Sequence, residues 1–302
     1  MLDVPLKLLR LLPMWDYICP RCRREVAKNS HKCPYCGEPH GVPLRVPSKV
    51  LKDKEALEKY VHEKVFPKVS SWQREYLTQF FTEIFSDGFE TGNFNAWTDI
   101  YVSSGCTLVV ETFNPHHGNY NLKGVVSGTA AGEFAFAIKN IGTSYTTAYA
   151  RGYVKYTGIS GLDASEIIPC IGFWVNIGDT NTARAGYGKN AAGTVCWAMR
   201  YFNGGSFYNA FGSSTPEPDK WYCVELRCSV GASATLQLFV NGNLEIEVTD
   251  VNNSARQFSY VHFGIDFNNG VVAATVYGDC VVVADTYIGT EPAKRLLVGV
   301  GL

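Results

Sequence analysis

Two periodicities divide the chain. Between about residues 48 and 84 the apolar positions recur at helical spacing, and beyond that they alternate with polar ones. Asp53 can cap a helix carrying Leu57, Tyr60, Val61 and Val65 on one side, and Pro67 stops it. Ser70 then caps a second helix, with Gln73 at the capping-box position. Trp72, Tyr76, Leu77, Phe80, Phe81 and Ile84 give that helix a broad aromatic face, which needs cover from the same chain or from another subunit. From Phe85 onward the alternation predicts strands at Tyr120–Val126, Glu133–Ile141, Thr147–Tyr156, Ile168–Ile177, Val195–Phe202, Trp221–Val230, Ala234–Val240, Leu244–Val248, Tyr260–Phe267 and Thr275–Val283. Gly, Asn, Ser, Asp and Pro clusters separate them. So many strands without a helical interruption predict a mainly β architecture of two packed antiparallel sheets.

One hairpin can be read in detail. Leu236, Leu238 and Val240 share a side, as do Leu244, Ile246 and Val248. A two-residue Asn241-Gly242 loop would set Leu238 against Glu245, whereas a three-residue loop through Asn243 keeps the apolar faces together. The buried face sets the register, so the longer loop is expected.

The N-terminal third adds a metal motif. Cys19-Pro20-Arg21-Cys22 and Cys33-Pro34-Tyr35-Cys36-Gly37 form two C-x2-C knuckles ten residues apart. Two such knuckles supply a tetrahedral set of thiolates, so Cys19, Cys22, Cys33 and Cys36 are expected to hold a structural zinc with no open position. His31 and His40 are bystanders, because four thiolates already suffice. Arg21, Arg23, Arg24, Lys28 and Lys32 surround the motif, either as a solvated surface or as a docking face for an acidic partner. The predicted layout is an arm at 1–16, a zinc ribbon at 17–47, a helical spacer at 48–84, a β-sandwich at 85–290 and a tail at 291–302.

Composition narrows the function classes. Across 302 residues the net charge is −1, so nothing global points to nucleic acid. No apolar stretch is long enough to span a bilayer. The leucine-rich segment from Leu2 to Met14 is broken by Arg10 and Pro13 and followed at once by the zinc motif, so it reads as an arm and not as a cleaved signal. Six further cysteines, Cys106, Cys170, Cys196, Cys223, Cys228 and Cys280, lie mostly within strands. Cys223 and Cys228 are an odd number of residues apart and face opposite sides of an unbulged strand. A thiolate zinc site indicates a reducing compartment, so all six are expected as free thiols.

Alternation also nominates a ligand surface. Tyr149, Arg151, Tyr153 and Lys155 share one face of a strand whose other face is small and apolar, and Trp174 shares a face with Asn176. Tyr149, Arg151, Tyr153, Trp174 and Asn176 could line a glycan site, or their rings could pack within a sheet or between subunits. His116-His117 follows Asn114-Pro115 at a turn with no acidic neighbour to orient either ring, and reads as a strand-entry loop.

Several segments carry a family resemblance. Asp87-Gly88-Phe89-Glu90-Thr91-Gly92-Asn93-Phe94-Asn95-Ala96-Trp97, His117-Gly118-Asn119-Tyr120, Trp221-Tyr222, Phe239-Val240-Asn241-Gly242, Gly278-Asp279-Cys280-Val281-Val282-Val283 and Tyr287-Ile288-Gly289 resemble the laminin-G-like, concanavalin A-like jelly-roll domains. The resemblance implies a jelly-roll β-sandwich, a fold that hosts lectins, carbohydrate-binding modules, glycanases and virion proteins. It implies a calcium ion near the joined first and last strands, at Glu90 and Asp279 with Asp87 and Asn93 nearby, although the last two serve equally as turn residues. Glycanases of the fold carry paired carboxylates on one strand face, and Glu245-Ile246-Glu247 is the nearest match here. It lacks the aspartate between the acids, and a solvated strand face explains the pair as well.

These readings combine into a non-enzymatic structural or surface-binding protein with a glycan-binding type of sandwich. A lectin-like sandwich is usual outside cells, whereas a zinc ribbon with free thiols is made in the cytoplasm. A virion component satisfies both, with homo-oligomer or virion partners anchored through the ribbon and helices. A cellular carbohydrate-binding protein and a glycan hydrolase or lyase are the alternatives. The ribbon generates a first prediction. Cys33→Ser releases one zinc per chain and unfolds the N-terminal region while the sandwich keeps its melting transition. Elemental analysis finding iron, or no metal, in the wild-type ribbon contradicts it.

Overall fold

The computed structural model describes residues 83–142, 145–157, 161–176, 181–268 and 270–291, together with the backbone of two short N-terminal strands. Those strands, β1 (Tyr17–Ile18) and β2 (Glu25–Val26), pair antiparallel, Tyr17 against Val26. In sequence they flank the first C-x2-C knuckle. Apart from Glu83 and Ile84 of the predicted spacer and Glu291 of the predicted tail, the rest of the predicted arm, ribbon, helical spacer and tail lies outside the described residues. By its contacts the chain divides into two units, and the second, 81–291, is the sandwich.

Fifteen strands build that unit: β3 (Glu83–Asp87), β4 (Asp99–Val102), β5 (Thr107–Glu111), β6 (Asn121–Val126), β7 (Glu133–Asn140), β8 (Thr147–Thr157), β9 (Ile167–Trp174), β10 (Asn181–Lys189), β11 (Val195–Asn203), β12 (Ser206–Phe211), β13 (Tyr222–Ser229), β14 (Ala234–Val240), β15 (Asn243–Val251), β16 (Tyr260–Asn268) and β17 (Ala274–Ala284). One sheet has seven strands in the order β12-β11-β10-β9-β16-β7-β4, and the other has eight, seven in the order β15-β14-β13-β8-β17-β6-β5 and β3, which pairs β17 off that path. Every pairing is antiparallel. The described residues contain no helix.

All ten predicted strands are present, and five more join them. Ile84, placed by its spacing on a helix, lies in β3, where Phe85 faces Val283. Pairing with β17 outweighs the local helical period there. β10 (Asn-Thr-Ala-Arg-Ala-Gly-Tyr-Gly-Lys) escapes a hydrophobicity reading because its small residues look like a turn. Close backbone approach explains them: a Cβ at Gly186 would lie 2.1 Å from the Ile168 carbonyl oxygen. The β14–β15 hairpin differs too. Val240 pairs with Asn243, so the loop is the two-residue Asn241-Gly242, with φ of 51° and 79°. These are the left-handed positions of a type I′ turn. The apolar register survives because a bulge follows, with Phe239 opposite Leu244 and Leu238 opposite Ile246.

The core lies between the sheets. Ala148, Ala150, Val154, Val224, Leu226, Leu236 and Leu238 from the eight-stranded sheet meet Ile171, Phe173, Ala185, Val261, Phe263 and Ile265 from the other. Phe263 of β16 stands over two glycines of the opposing sheet. A Cβ at Gly152 would lie 2.4 Å from its ring, and one at Gly278 only 2.2 Å. Neither side chain could be added without moving the sheets apart. The six cysteines of the sandwich are free thiols, with Cys228 in this core and Cys223 in a separate cluster on the outer face. Phe263→Ala is expected to destabilise the sandwich by about 3–5 kcal/mol and Gly152→Ala by about 1–3 kcal/mol. In denaturant melts, Gly152→Ala should cost markedly less in a Phe263→Leu background; an additive pair would show that the two residues do not share this contact.

Candidate functional site

Because the sheets pack inner face to inner face, the sandwich has two outer faces, and each carries a polar cluster. On the eight-stranded sheet, β8 turns Tyr149, Arg151, Tyr153 and Lys155 outward, as their alternation predicts, but this stripe is covered. Tyr287 packs on Tyr149 with ring centroids 6.2 Å apart, and His116 stacks on Tyr153 at 3.6 Å. Lys155 is enclosed by Tyr277, Trp221 and Phe113, its ammonium 4.3, 4.9 and 5.8 Å from their centroids. Burial lowers its pKa against the pull of Asp219 and Glu111.

Glu225 of β13 lies beneath the segment that follows β17. It accepts hydrogen bonds from the Ile288 and Gly289 amides at 2.7 and 2.8 Å. Burial pushes its carboxyl up to about 7, against the lowering effect of those amides and of Arg151. Arg151 donates to the carbonyls of Gly289 (3.3 Å) and Cys280 (3.4 Å) and lies 3.5 Å from the Glu291 carboxylate. Tyr153 Oη accepts the Glu291 amide at 3.0 Å. This face therefore uses its charges to fasten its own chain.

The outer face of the seven-stranded sheet is arranged differently. Asp266 of β16 is its hub: Oδ2 accepts from Trp174 Nε1 at 3.3 Å and Arg184 at 3.2 Å, and lies 3.1 Å from His262 Nε2. His262 sits over Gly172, where a Cβ would lie 2.3 Å from its Nε2. Its side chain is fully buried, and burial lowers its pKa to about 4 although Asp266 pulls it up. Phe136, Ile138 and Trp174 form an apolar cluster beside it, with Tyr101, Phe134 and Tyr260 packed against them.

Toward the β11–β12 edge the same face carries cations on aromatic rings. The Arg200 guanidinium lies 5.1 Å from the Phe207 centroid, and that of Arg256 lies 4.0 Å from Phe202. Arg200 donates to Asn209 Oδ1 at 3.2 Å. Burial and the neighbouring Arg184 lower the Arg200 pKa, which Asp266 opposes. Arg184 Nε, Arg200 Nε and Arg256 Nη1 are buried donors with no hydrogen-bond partner among the described residues.

The expected ligand residues are thus split between opposite faces. Tyr149, Arg151 and Tyr153 lie on the eight-stranded sheet and Trp174 on the other. Asn176 lies beyond the end of β9 at an exposed position, so strand alternation does not tie it to Trp174. Glu90 accepts the amides of Asn119 and Tyr120 at 3.0 and 3.2 Å, and Asp279 accepts that of His117 at 2.9 Å, so both expected calcium residues secure the 116–120 loop. Asp87 receives the Phe89 amide and Trp97 Nε1, and Asn93 the Asn95 amide, both as turn residues. Glu245 and Glu247 each have partners of their own. Glu245 binds the Ser213 and Ser214 amides, and Glu247 accepts from Gln237. Arg184, His262, Asp266 and Glu225 are isolated among apolar and small neighbours in their strands, so no local motif marks them. Their shared parity with Trp174, Tyr260 or Arg227 was the available signal. Among the described residues, one group could hold a metal: His116, Cys280 and Glu291.

No protein-family model and no curated protein matches the sequence. Solved structures do match. A cellulose-induced protein, Cip1, aligns with a TM-score of 0.51 at 18% identity, over 68% of this chain and 99% of that one. The endo-β-1,4-glucuronan lyase of the fungus Trichoderma reesei aligns with a TM-score of 0.55 at 14% identity, over 71% of this chain and 100% of that one. At these identities the likeness concerns the fold, an antiparallel two-sheet jelly-roll β-sandwich.

Glu225 generates a pH prediction. Its folded pKa of about 7 exceeds the ordinary 4.5, so the folded state binds the extra proton between those values and stability falls as pH rises through that window, by about 3 kcal/mol. Glu225→Gln removes this slope, so from pH 5 to pH 8 the variant should gain melting temperature relative to wild type. A constant difference across that range would show that the buried carboxyl is not the titrating group.

Proposed function

We propose that the sandwich binds an acidic polysaccharide, one carrying uronate carboxylates, on the outer face of its seven-stranded sheet, and does not cleave it. The observation that carries this reading is the set of three guanidiniums, Arg184, Arg200 and Arg256, gathered on one face with Phe202, Phe207 and Trp174. Planar guanidinium forks suit carboxylates, and aromatic faces suit the C–H faces of sugar rings. The one carboxylate in contact with this group, Asp266, is already shared by Arg184, Trp174 and His262. The similar fold of a glucuronan lyase supports the same ligand class.

That fold also raises a second reading, eliminative cleavage. Such a reaction needs a base that reaches the sugar. His262 is buried, with its Nε2 3.1 Å from Asp266 Oδ2, and this favours binding without turnover. Arg200→Ala and Arg256→Ala should each weaken binding of a polyuronate by roughly ten- to a hundredfold, the scale of a lost charge-assisted hydrogen bond, while Tyr149→Phe on the opposite face changes little. Calorimetry with the polyuronate and its carboxyl-reduced counterpart measures this. Equal affinity for the two polymers would remove the charge argument, and release of unsaturated uronate products by wild type would establish the lyase.

A further inference from the structure

The cluster at His116, Cys280 and Glu291 is built from three separate segments, and neither the strand-entry role of His116 nor the glycan reading uses it. One ligand atom from each residue lies within 4.8 Å of the others. Cys280 Sγ and His116 Nδ1 are 3.9 Å apart. Ligands around a tetrahedral zinc, with bonds of ~2.0–2.3 Å, stand about 3.3–3.8 Å from one another. Side-chain adjustments of a few tenths of an ångström to about an ångström would close the set. We propose that these three side chains form a zinc site on the outer face of the eight-stranded sheet, distinct from the four-cysteine ribbon, with one coordination position left for water or an exogenous ligand.

Each ligand is held by its surroundings. Cys280 is aimed outward by a β-bulge: Asp279 pairs with Tyr153 and Val282 with Arg151, leaving one extra residue on β17. Its φ of 50° is a left-handed value usually taken by glycine at such bulges, and a side chain kept there at a steric cost is directed to a purpose. His116 is clamped by stacking on Tyr153 and by the Trp221 ring, whose centroid is 5.8 Å from its own at an interplanar angle of 68°. The loop bearing it is tied down where Asp279 accepts the His117 amide. Glu291 is positioned by its amide on Tyr153 Oη and by Arg151 beside its carboxylate. Asp279 Oδ1 lies 3.4 Å from Cys280 Sγ and accepts the thiol's hydrogen bond in the metal-free protein, a proton that zinc would displace.

The donor set selects the ion. A thiolate, an imidazole and a carboxylate suit zinc, whereas calcium and magnesium favour oxygen alone. His116 and Glu291 are half-buried and Cys280 is buried, so the cluster opens to solvent on one side. Zinc there would join the 112–120 loop, β17 and the segment after it, the pieces that close this face.

The test is elemental analysis of the full-length protein after zinc loading and gel filtration. Wild type should hold one more zinc per chain than Cys280→Ser, whatever the ribbon contributes, because the ribbon cysteines are untouched in both. His116→Ala and Glu291→Gln, at half-buried positions, make the same comparison should the serine variant fail to fold. Loss of one equivalent in the variants supports the site. Equal zinc in wild type and in any folded variant overturns it, as does a difference in calcium instead of zinc.

Discussion

The sandwich depends on one ring. Phe263 projects from β16, in the middle of one sheet, onto Gly152 of β8 and Gly278 of β17, the central neighbouring pair of the other. The two glycines let the sheets close on it, and burying such a ring contributes about 1.5–3 kcal/mol. Its larger effect is on direction. Strand side chains alternate, so an inward Phe263 places His262 outward; an inward Gly152 does the same for Arg151 and Tyr153, and an inward Gly278 for Tyr277 and Asp279. A slip of one residue on any of these strands would put a charge in the core. The packing that holds the sheets together therefore also determines which groups face out.

The two outer faces then diverge. On the eight-stranded sheet the charges are consumed internally. Glu225, Arg151 and Tyr153 receive the 288–291 segment, and Glu90 and Asp279 receive the 116–120 loop. On the seven-stranded sheet one carboxylate serves several donors, and the Arg200 and Arg256 guanidiniums lie over the Phe207 and Phe202 rings.

Much of this fold could be read from alternation alone. Strands with one apolar parity, such as β13 and β14, announced themselves, and the odd spacing of Cys223 and Cys228 placed them correctly on opposite sides. What was missed has physical causes. β10 is small-residued because backbones approach closely around Gly186, and β3 owes its strand to a partner nearly two hundred residues away. Unbulged alternation argues against the two-residue Asn241-Gly242 turn, and the bulge that repairs its register leaves no mark in the sequence. Individual site residues were legible by parity but not by exposure. Tyr149, Arg151 and Tyr153 share a face as expected, yet the segment that covers them comes from beyond β17, and only the folded chain reveals it.

The central claim is that the arginine- and aromatic-bearing face of the seven-stranded sheet recognises carboxylated sugar. A crystal structure of the protein with a short oligouronate tests it most directly. The account predicts sugar density across β10 to β12, with ligand carboxylates against Arg200 and Arg256. Density confined to the eight-stranded sheet, or lying along the seven-stranded sheet with no carboxylate at either guanidinium, would contradict it.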